Sequence, residues 1–206
     1  MSGRPGLAPL RGLVLAGGAS RRMGTDKAAL EYHGRAQLER ACEQLARHCG
    51  QVFVSMRRGQ ADDAARRGRP AIFDIHDGIG PIAGIAAAQA ALPDSAWLVV
   101  ACDLPFLTDA SLDGLVEHRD GRAVVAYRST HDGLPEPLCA IYEPATRDGI
   151  LAAIAAGRYC PRNYVLGTGV ELLEPVSALA LENVNTPDEL ARARELLQAP
   201  AQGSGR

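Results

Sequence analysis

Trp97-Leu98-Val99-Val100-Ala101, followed at once by Cys102-Asp103-Leu104-Pro105, is the stretch on which the fold turns. Apolar residues fill both sides of its pleat, as they do in a strand covered on both faces. A strand of that kind belongs to a sheet with helices above and below it. Gly12-Leu13-Val14-Leu15-Ala16, closed by Gly17 and Gly18, has the same character nearer the N-terminus. Working outward from these two runs, strand-like and helix-like segments alternate. Leu38, Cys42, Leu45 and Cys49 recur at helical spacing. Residues 52–55 and 71–73 are short strand candidates, 62–67 is polar and predicts a surface helix, and 82–92 is Ala-rich and helical. Residues 108–118 predict a helix with Thr108 as N-cap, 123–127 and 137–142 predict strands, and 145–155 a further helix. Thr186-Pro187-Asp188-Glu189 opens the last helix. It supplies a capping threonine, a proline where the missing N–H costs nothing, and a glutamate three residues after the cap. The alternation predicts an α/β fold with a mostly parallel central sheet whose strand C-terminal ends form the ligand edge. The loops after Ala16, Phe73 and Ala101 are therefore the ones to search.

The 206 residues suffice for one domain with a full core. Residues 1–10 hold two prolines and two glycines and predict a flexible N-terminus. Residues 11–198 form the domain, and 199–206, small and polar, a disordered tail. Lys and Arg number 22 and Asp and Glu 24, a net charge of −2 that argues against nucleic acid as a partner. No apolar stretch is long enough to span a bilayer, and the N-terminus lacks the apolar core of a secretion signal, so no membrane association is expected. Five cysteines, an odd count with no CxxC pair, argue against a disulfide framework or a structural zinc and for a cytoplasmic location.

The first of the three loops runs Leu15-Ala16-Gly17-Gly18-Ala19-Ser20-Arg21-Arg22-Met23-Gly24-Thr25-Asp26-Lys27. Two glycines after a buried strand permit a tight turn and close backbone approach to a ligand, and successive N–H groups in such a turn make a concave anion site. Arg22 adds a planar cationic fork and Lys27 a flexible point charge. The combination suits a triphosphate, although it is not a Walker loop, because Lys27 precedes Ala28 and no GxxxxGK[ST] is present. A βα turn with merely solvated basic residues satisfies the same spacing. Asp103, just past the buried strand, has the chemistry magnesium requires: a hard oxygen, with waters and phosphate oxygens to complete the shell. A helix cap or loop carboxylate is its bland alternative.

The segment LAGGASRRMGTDKAAL resembles the signature LAGGxSxRMGxDKxxL of the MobA-type nucleotidyltransferases. Gly80-Pro81-Ile82-Ala83-Gly84-Ile85, Ala101-Cys102-Asp103-Leu104-Pro105-Phe106 and Asn183-Val184-Asn185-Thr186-Pro187-Asp188-Glu189-Leu190 fit the same family in order, so the likeness runs from about residue 13 to about 197. It implies a three-layer, Rossmann-like nucleotidyltransferase fold in a single domain. It also implies transfer of GMP from GTP to the phosphate of molybdenum-molybdopterin, with release of pyrophosphate. The backbone of Leu15, Ala16 and Gly17 would hold the base and Lys27 would contact the phosphates, with Gly18 and Arg22 in the same loop as further binding and catalytic candidates. Asp74 would contact the nucleotide, with Asp77 three residues on as its rival. Asp103 would bind Mg2+ and Asn185 would close the site toward the metal, unless Asn183 and Asn185 only shape the turn before the last helix. Ser55 stands where many guanylyltransferases have asparagine, a shorter side chain without an amide. Relatives that use CTP resemble LAAG rather than LAGG, so Gly17 favours the larger purine. Arg158-Tyr159-Cys160-Pro161-Arg162-Asn163-Tyr164 is either part of the acceptor pocket or a surface turn with a core tyrosine. Molybdenum-insertion proteins and molybdoenzyme chaperones are the protein partners the resemblance admits.

Three other readings compete. Cytidylyltransferases and sugar-1-phosphate nucleotidylyltransferases share the fold. A non-catalytic nucleotide sensor would keep it too. Gly78-Ile79-Gly80-Pro81-Ile82-Ala83 matches GxGxxA with Asp103 20 residues beyond, the outline of an NAD-dependent oxidoreductase, but that motif belongs after the first strand and here lies mid-chain.

Overall fold

Side chains alternate across a strand, so a strand apolar at every position must feed two cores. The computed structural model, which describes residues 6–18, 26–32, 34–76 and 78–198, has that arrangement. Strand β6 (Ala96–Ala101) sends Ala96, Leu98 and Val100 into one apolar cluster and Trp97 and Val99 into the other. Strand β1 (Leu10–Leu15) divides in the same way, with Val14 on one side and Leu13 on the other. The first cluster is completed by helices α1 (Gln37–Ala46) and α3 (Asp109–Glu117), the second by α2 (Pro81–Ala91), α4 (Arg147–Ala155) and α5 (Pro161–Leu166). The result is a three-layer α/β/α domain.

The minor strands β2 (Glu31–Tyr32) and β3 (Arg35–Ala36) pair antiparallel outside the main sheet. The main sheet also contains β4 (Val52–Met56), β5 (Ala71–Phe73), β7 (Val124–Arg128), β8 (Pro135–Tyr142) and β9 (Val170–Leu173), in the order β5-β4-β1-β6-β8-β7-β9. Strands β5, β4, β1 and β6 are parallel neighbours, and β8 runs against β6 and β7. From β1 the chain winds outward to β4 and β5, then crosses back to β6 on the other side. Winding reverses between β1 and β6, the point where an open α/β sheet leaves a crevice at its strand C-termini. Leu15 lies in register with Ser55 on one side and Ala101 on the other, and Phe73 lies beyond β4 in register with Met56, so the three loops singled out above emerge at the same edge of the sheet.

Thr108 caps α3 as expected, its Oγ1 accepting from the Ser111 N–H at 3.3 Å. Helix α6 (Pro187–Gln198) follows the predicted capping box. The Glu189 N–H donates to Thr186 Oγ1 at 3.3 Å, and the Thr186 N–H donates to Glu189 Oε2 at 3.2 Å. A third apolar group, Leu30, Tyr32, Val184 and Ala193 with Phe106 and Leu190, seats α6 against β2.

Several expectations change. Residues 62–67 form turns, not a helix, and Arg66 within them is 1% exposed. The chain is fixed before residue 11: Leu10 pairs with Ala96, Pro9 O accepts from the Ala96 N–H at 2.9 Å, and Ala8 O accepts from Arg119 at 2.6 Å. Residues 1–5 and the tail at 199–206 lie outside the described residues. Residues 161–166 are helical rather than a turn, and β9 is an additional strand. Among the described residues no helix is long and apolar enough to cross a membrane, and all five cysteines are free.

Candidate active site

The crevice at the winding reversal is a cavity of about 630 Å3, the size of a small-molecule site. Its walls come from the loop after β1 (Ala16, Gly17, Gly18), the ends of β4 and β5 (Ser55, Arg57, Asp74, His76), the start of α2 (Gly80, Pro81, Gly84), the end of β6 (Cys102, Asp103), and Lys27 and Asn185.

Lys27 opens a one-turn 3-10 helix, Lys27–Ala29, capped by Asp26, whose Oδ1 accepts from the Ala28 N–H at 3.1 Å. Ala28 is fully buried, which turns the Lys27 side chain toward the cavity. Its ammonium donates to Asp103 Oδ2 at 2.8 Å and to Asn185 Oδ1 at 2.6 Å. Both are charge-assisted contacts in a partly sheltered place, the Lys27 and Asp103 side chains being 17% and 20% exposed. Asn185 arrives from 82 residues beyond Asp103 because the Val184 N–H donates to Asp103 O at 3.1 Å. Glu189 holds it from the other side, accepting the Asn185 N–H at 2.6 Å.

This set can hold a divalent cation. Asp103 Oδ1 is buried without a hydrogen-bond partner, and the Asp103 and Asn185 oxygens already converge on one cationic nitrogen. Among the described residues no group of three or more His, Cys, Asp or Glu gathers as a metal cage. The donors are one carboxylate and one amide oxygen, a set that magnesium takes when phosphate oxygens and waters complete its shell.

Across the cavity, Asp74 Oδ1 accepts from the Ser55 hydroxyl at 2.8 Å, so the short Ser55 side chain reaches the site through a carboxylate. A Cβ at Gly17 would lie 3.1 Å from Asp74 Oδ2. The room left by the missing methyl, which the sequence assigned to a larger purine, is therefore taken by Asp74. Gly84 is closer still, since a Cβ there would stand 2.2 Å from Ser55 Oγ. The Ala16 peptide is already engaged: its N–H donates to Ser55 O at 3.0 Å, and its carbonyl accepts from Arg66 Nη2 at 2.6 Å and Nε at 3.2 Å. Leu15 O accepts from the Cys102 N–H at 3.2 Å.

Sequence reasoning missed Arg66 altogether, and its neighbours Ala64, Ala65 and Arg67 give no periodic signal that would separate it from a solvated side chain. It missed Arg57 and His76 in the cavity wall as well. Burial, with Asp103 adding to it, pushes the Cys102 thiol up to about 12, so that residue is a packed thiol and not a nucleophile. The segment 158–164 stays outside the cavity wall. Arg162 is paired with Asp132 at 2.8 Å and Glu136 at 3.2 Å, and the Tyr164 hydroxyl donates to Thr146 O at 2.9 Å. The GxGxxA match follows the edge strand β5 rather than β1, so its glycines sit on the far wall and not in the first βα turn. Arg22 and Asp77 lie outside the described residues.

Comparison with known proteins agrees with this geometry. Residues 12–165 match the model of the MobA-like NTP transferase domain. A molybdenum cofactor guanylyltransferase of Pseudomonas aeruginosa is 33% identical, over 92% of this chain and 97% of its own. A molybdenum cofactor biosynthesis bifunctional protein of Synechocystis is also 33% identical, over 88% of this chain, which spans only 52% of that longer relative. The crystal structure of molybdopterin-guanine dinucleotide biosynthesis protein A from Archaeoglobus fulgidus superposes with a TM-score of 0.74 at 26% identity, covering 90% of this chain and 97% of that one. With three quarters of its length matched by one family model and its cavity at the family's expected loops, the chain belongs to the MobA-like NTP transferases.

Proposed function

We propose that the protein moves GMP from GTP to the terminal phosphate of molybdenum-molybdopterin and releases pyrophosphate. The observation that carries the chemistry is the meeting of Lys27, Asp103 and Asn185 in the crevice beside the glycine loop. The nucleotide and the acceptor are carried over from the guanylyltransferase and dinucleotide-biosynthesis relatives.

An acceptor phosphate oxygen attacks the α-phosphorus of GTP. The bond to the β-phosphate breaks in line, and pyrophosphate departs with the electron pair. The acceptor phosphate is ionised at neutral pH, so no general base is required, and the protein's work is positioning and charge neutralisation. Lys27 leaves Asp103 to grip the phosphates beside Gly17 and Gly18, and Arg22, outside the described residues, is the second cation the sequence offers for the same tail. Asp103 and Asn185 would hold Mg2+, which would supply charge neutralisation to the phosphate oxygens there. Asp74, pressed against Gly17 and steadied by Ser55, accepts donors of the nucleoside, and the choice of GTP over CTP is carried over from the guanylyltransferase relatives. Five free thiols suit the reducing cytoplasm, where molybdenum-insertion proteins and molybdoenzyme chaperones would meet the product.

Pyrophosphate release, measured over GTP, CTP, ATP and UTP with molybdenum-molybdopterin or sugar 1-phosphates as acceptors, tests the reading. Release with GTP and the molybdopterin acceptor alone supports it. Equal or faster release with CTP, or release only with a sugar phosphate, moves the protein to a cytidylyl- or sugar nucleotidylyltransferase. Asp103→Ala is expected to lower the GTP reaction by at least about 100-fold and to erase its response to added magnesium.

A further inference from the structure

Arg66 is a guanidinium with 1% exposure in a stretch of turns whose Ala61 and Ala65 pack against the first core. A charge is costly to bury unless every donor is used. Here the donors are used on two segments at once. Nε–H and Nη2–H both point at the Ala16 carbonyl, at 3.2 and 2.6 Å. Nη2–H also donates to Asp26 Oδ1 at 3.0 Å, and Nη1–H bonds Asp26 Oδ2. Nη1–H reaches Asp63 Oδ2 at 3.2 Å as well. Ala16 is the last residue of the first wall before Gly17-Gly18, and Asp26 is the residue before Lys27. Arg66 thus bridges the two ends of the glycine-rich loop from a third segment of chain. Asp26 in turn caps the turn that aims Lys27.

We propose that Arg66 is a positioning residue for nucleotidyl transfer: by clamping Ala16 and Asp26 together, it fixes the aim of Lys27. This rests on Lys27 serving the phosphates, as read above. A lysine cannot take over, because a single ammonium lacks the planar fork that faces a carbonyl and a carboxylate together. The same contacts act on Asp26. Burial alone would push its carboxyl up, yet the Arg66 guanidinium and the Ala28 N–H hold it below the usual carboxylate range.

The test is a double-mutant cycle on the full chain, with kcat and KM for GTP read from pyrophosphate release. Arg66→Lys is expected to lower kcat/KM by about 10- to 100-fold, the cost of a misaimed catalytic group. In a Lys27→Ala background the same substitution should have little further effect, because its influence passes through Lys27. Asp26→Asn, which keeps an N-cap and the side-chain size, loosens the clamp from its exposed end and should reproduce the loss in a chain that folds. Hydrogen exchange of the ligand-free variants should rise at residues 16–18 and 26–29 and stay unchanged in α3 and α6. Equal losses from Arg66→Lys with and without Lys27 would overturn the proposal, as would unaltered turnover in both Arg66→Lys and Asp26→Asn beside a crippled Lys27→Ala. Unaltered turnover in Lys27→Ala would instead overturn the reading of Lys27 itself.

Discussion

Lys27 holds, with one ammonium, the carboxylate and the amide oxygen that a divalent cation would use. With Mg2+ seated there as proposed, the two cations would compete for the same oxygens in the absence of nucleotide, and the lysine would guard Asp103 against loose metal. Lys27→Met is therefore expected to bind Mn2+ several-fold more tightly than the parent in the absence of nucleotide, read by the loss of free Mn2+ signal in electron paramagnetic resonance. Equal or weaker binding would show that the ammonium and the metal do not share a seat. Asp26, one residue away, makes a pH prediction. Its folded carboxyl titrates below the ordinary value of 3.8. The stability it adds is fully present above that value and is lost as the pH falls through the folded pKa. The difference in melting temperature between the parent and Asp26→Asn should be constant near neutrality and shrink below about pH 4. A difference that grows on acidification would contradict the sign.

Helix α2 reaches the cavity because position 84 carries no side chain. Eight of its residues are buried, and Gly84 faces Ser55 and Leu15 so closely that a Cβ would stand 2.2 Å from Ser55 Oγ and 2.9 Å from Leu15 Cδ2. Gly84→Ala should swing the Ser55 hydroxyl away and release Asp74. KM for GTP is expected to rise about tenfold, with a smaller change in kcat, since the lost contact serves binding; an unchanged KM would remove Asp74 from the nucleotide site. The elements that build this wall were readable in the sequence wherever both faces are apolar: the runs at 12–16 and 97–101 became β1 and β6, and the capping box at Thr186 became the start of α6. Elements whose burial is one-sided or decided by distant partners were not. Val170–Leu173 is only half-buried at the sheet edge, and its VELL pattern has no strict alternation. Arg66 is buried by a carbonyl 50 residues earlier and a carboxylate 40 residues earlier. Of the site, the motif residues Lys27 and Asp103 were legible, and so was Asn185. The bond joining Ser55 to Asp74 was not, because no local pattern encodes which carboxylate a serine will meet.

At the scale of the whole molecule, two ionic clamps do related work at opposite ends of the sheet. Arg66 closes the ligand edge. Near the chain's entry into β1, Arg119 and Glu143 are 6% and 5% exposed and face each other, with Arg119 Nη2 donating to Glu143 Oε2 at 3.0 Å and to Ala8 O at 2.6 Å. That pair ties the segment before β1 to the turns flanking α3 and β8, and so joins the first strand to the antiparallel half of the sheet. None of these residues lines the cavity. Stability and ligand binding should therefore separate. Glu143→Gln keeps the volume but strips Arg119 of its carboxylate, a change that in buried pairs costs about 3 kcal/mol. The urea midpoint should fall by the corresponding amount with an unchanged slope, while the affinity for GTP with magnesium stays that of the parent. If GTP affinity fell in step with the midpoint, the crevice would depend on the far clamp, and the sheet would have to be treated as one mechanical unit from Ala8 to Asp103. If neither moved, the carboxylate would add nothing net, and the entry strand would owe its place to Leu10, the Pro9 carbonyl bond and the Arg119 bond to Ala8 O.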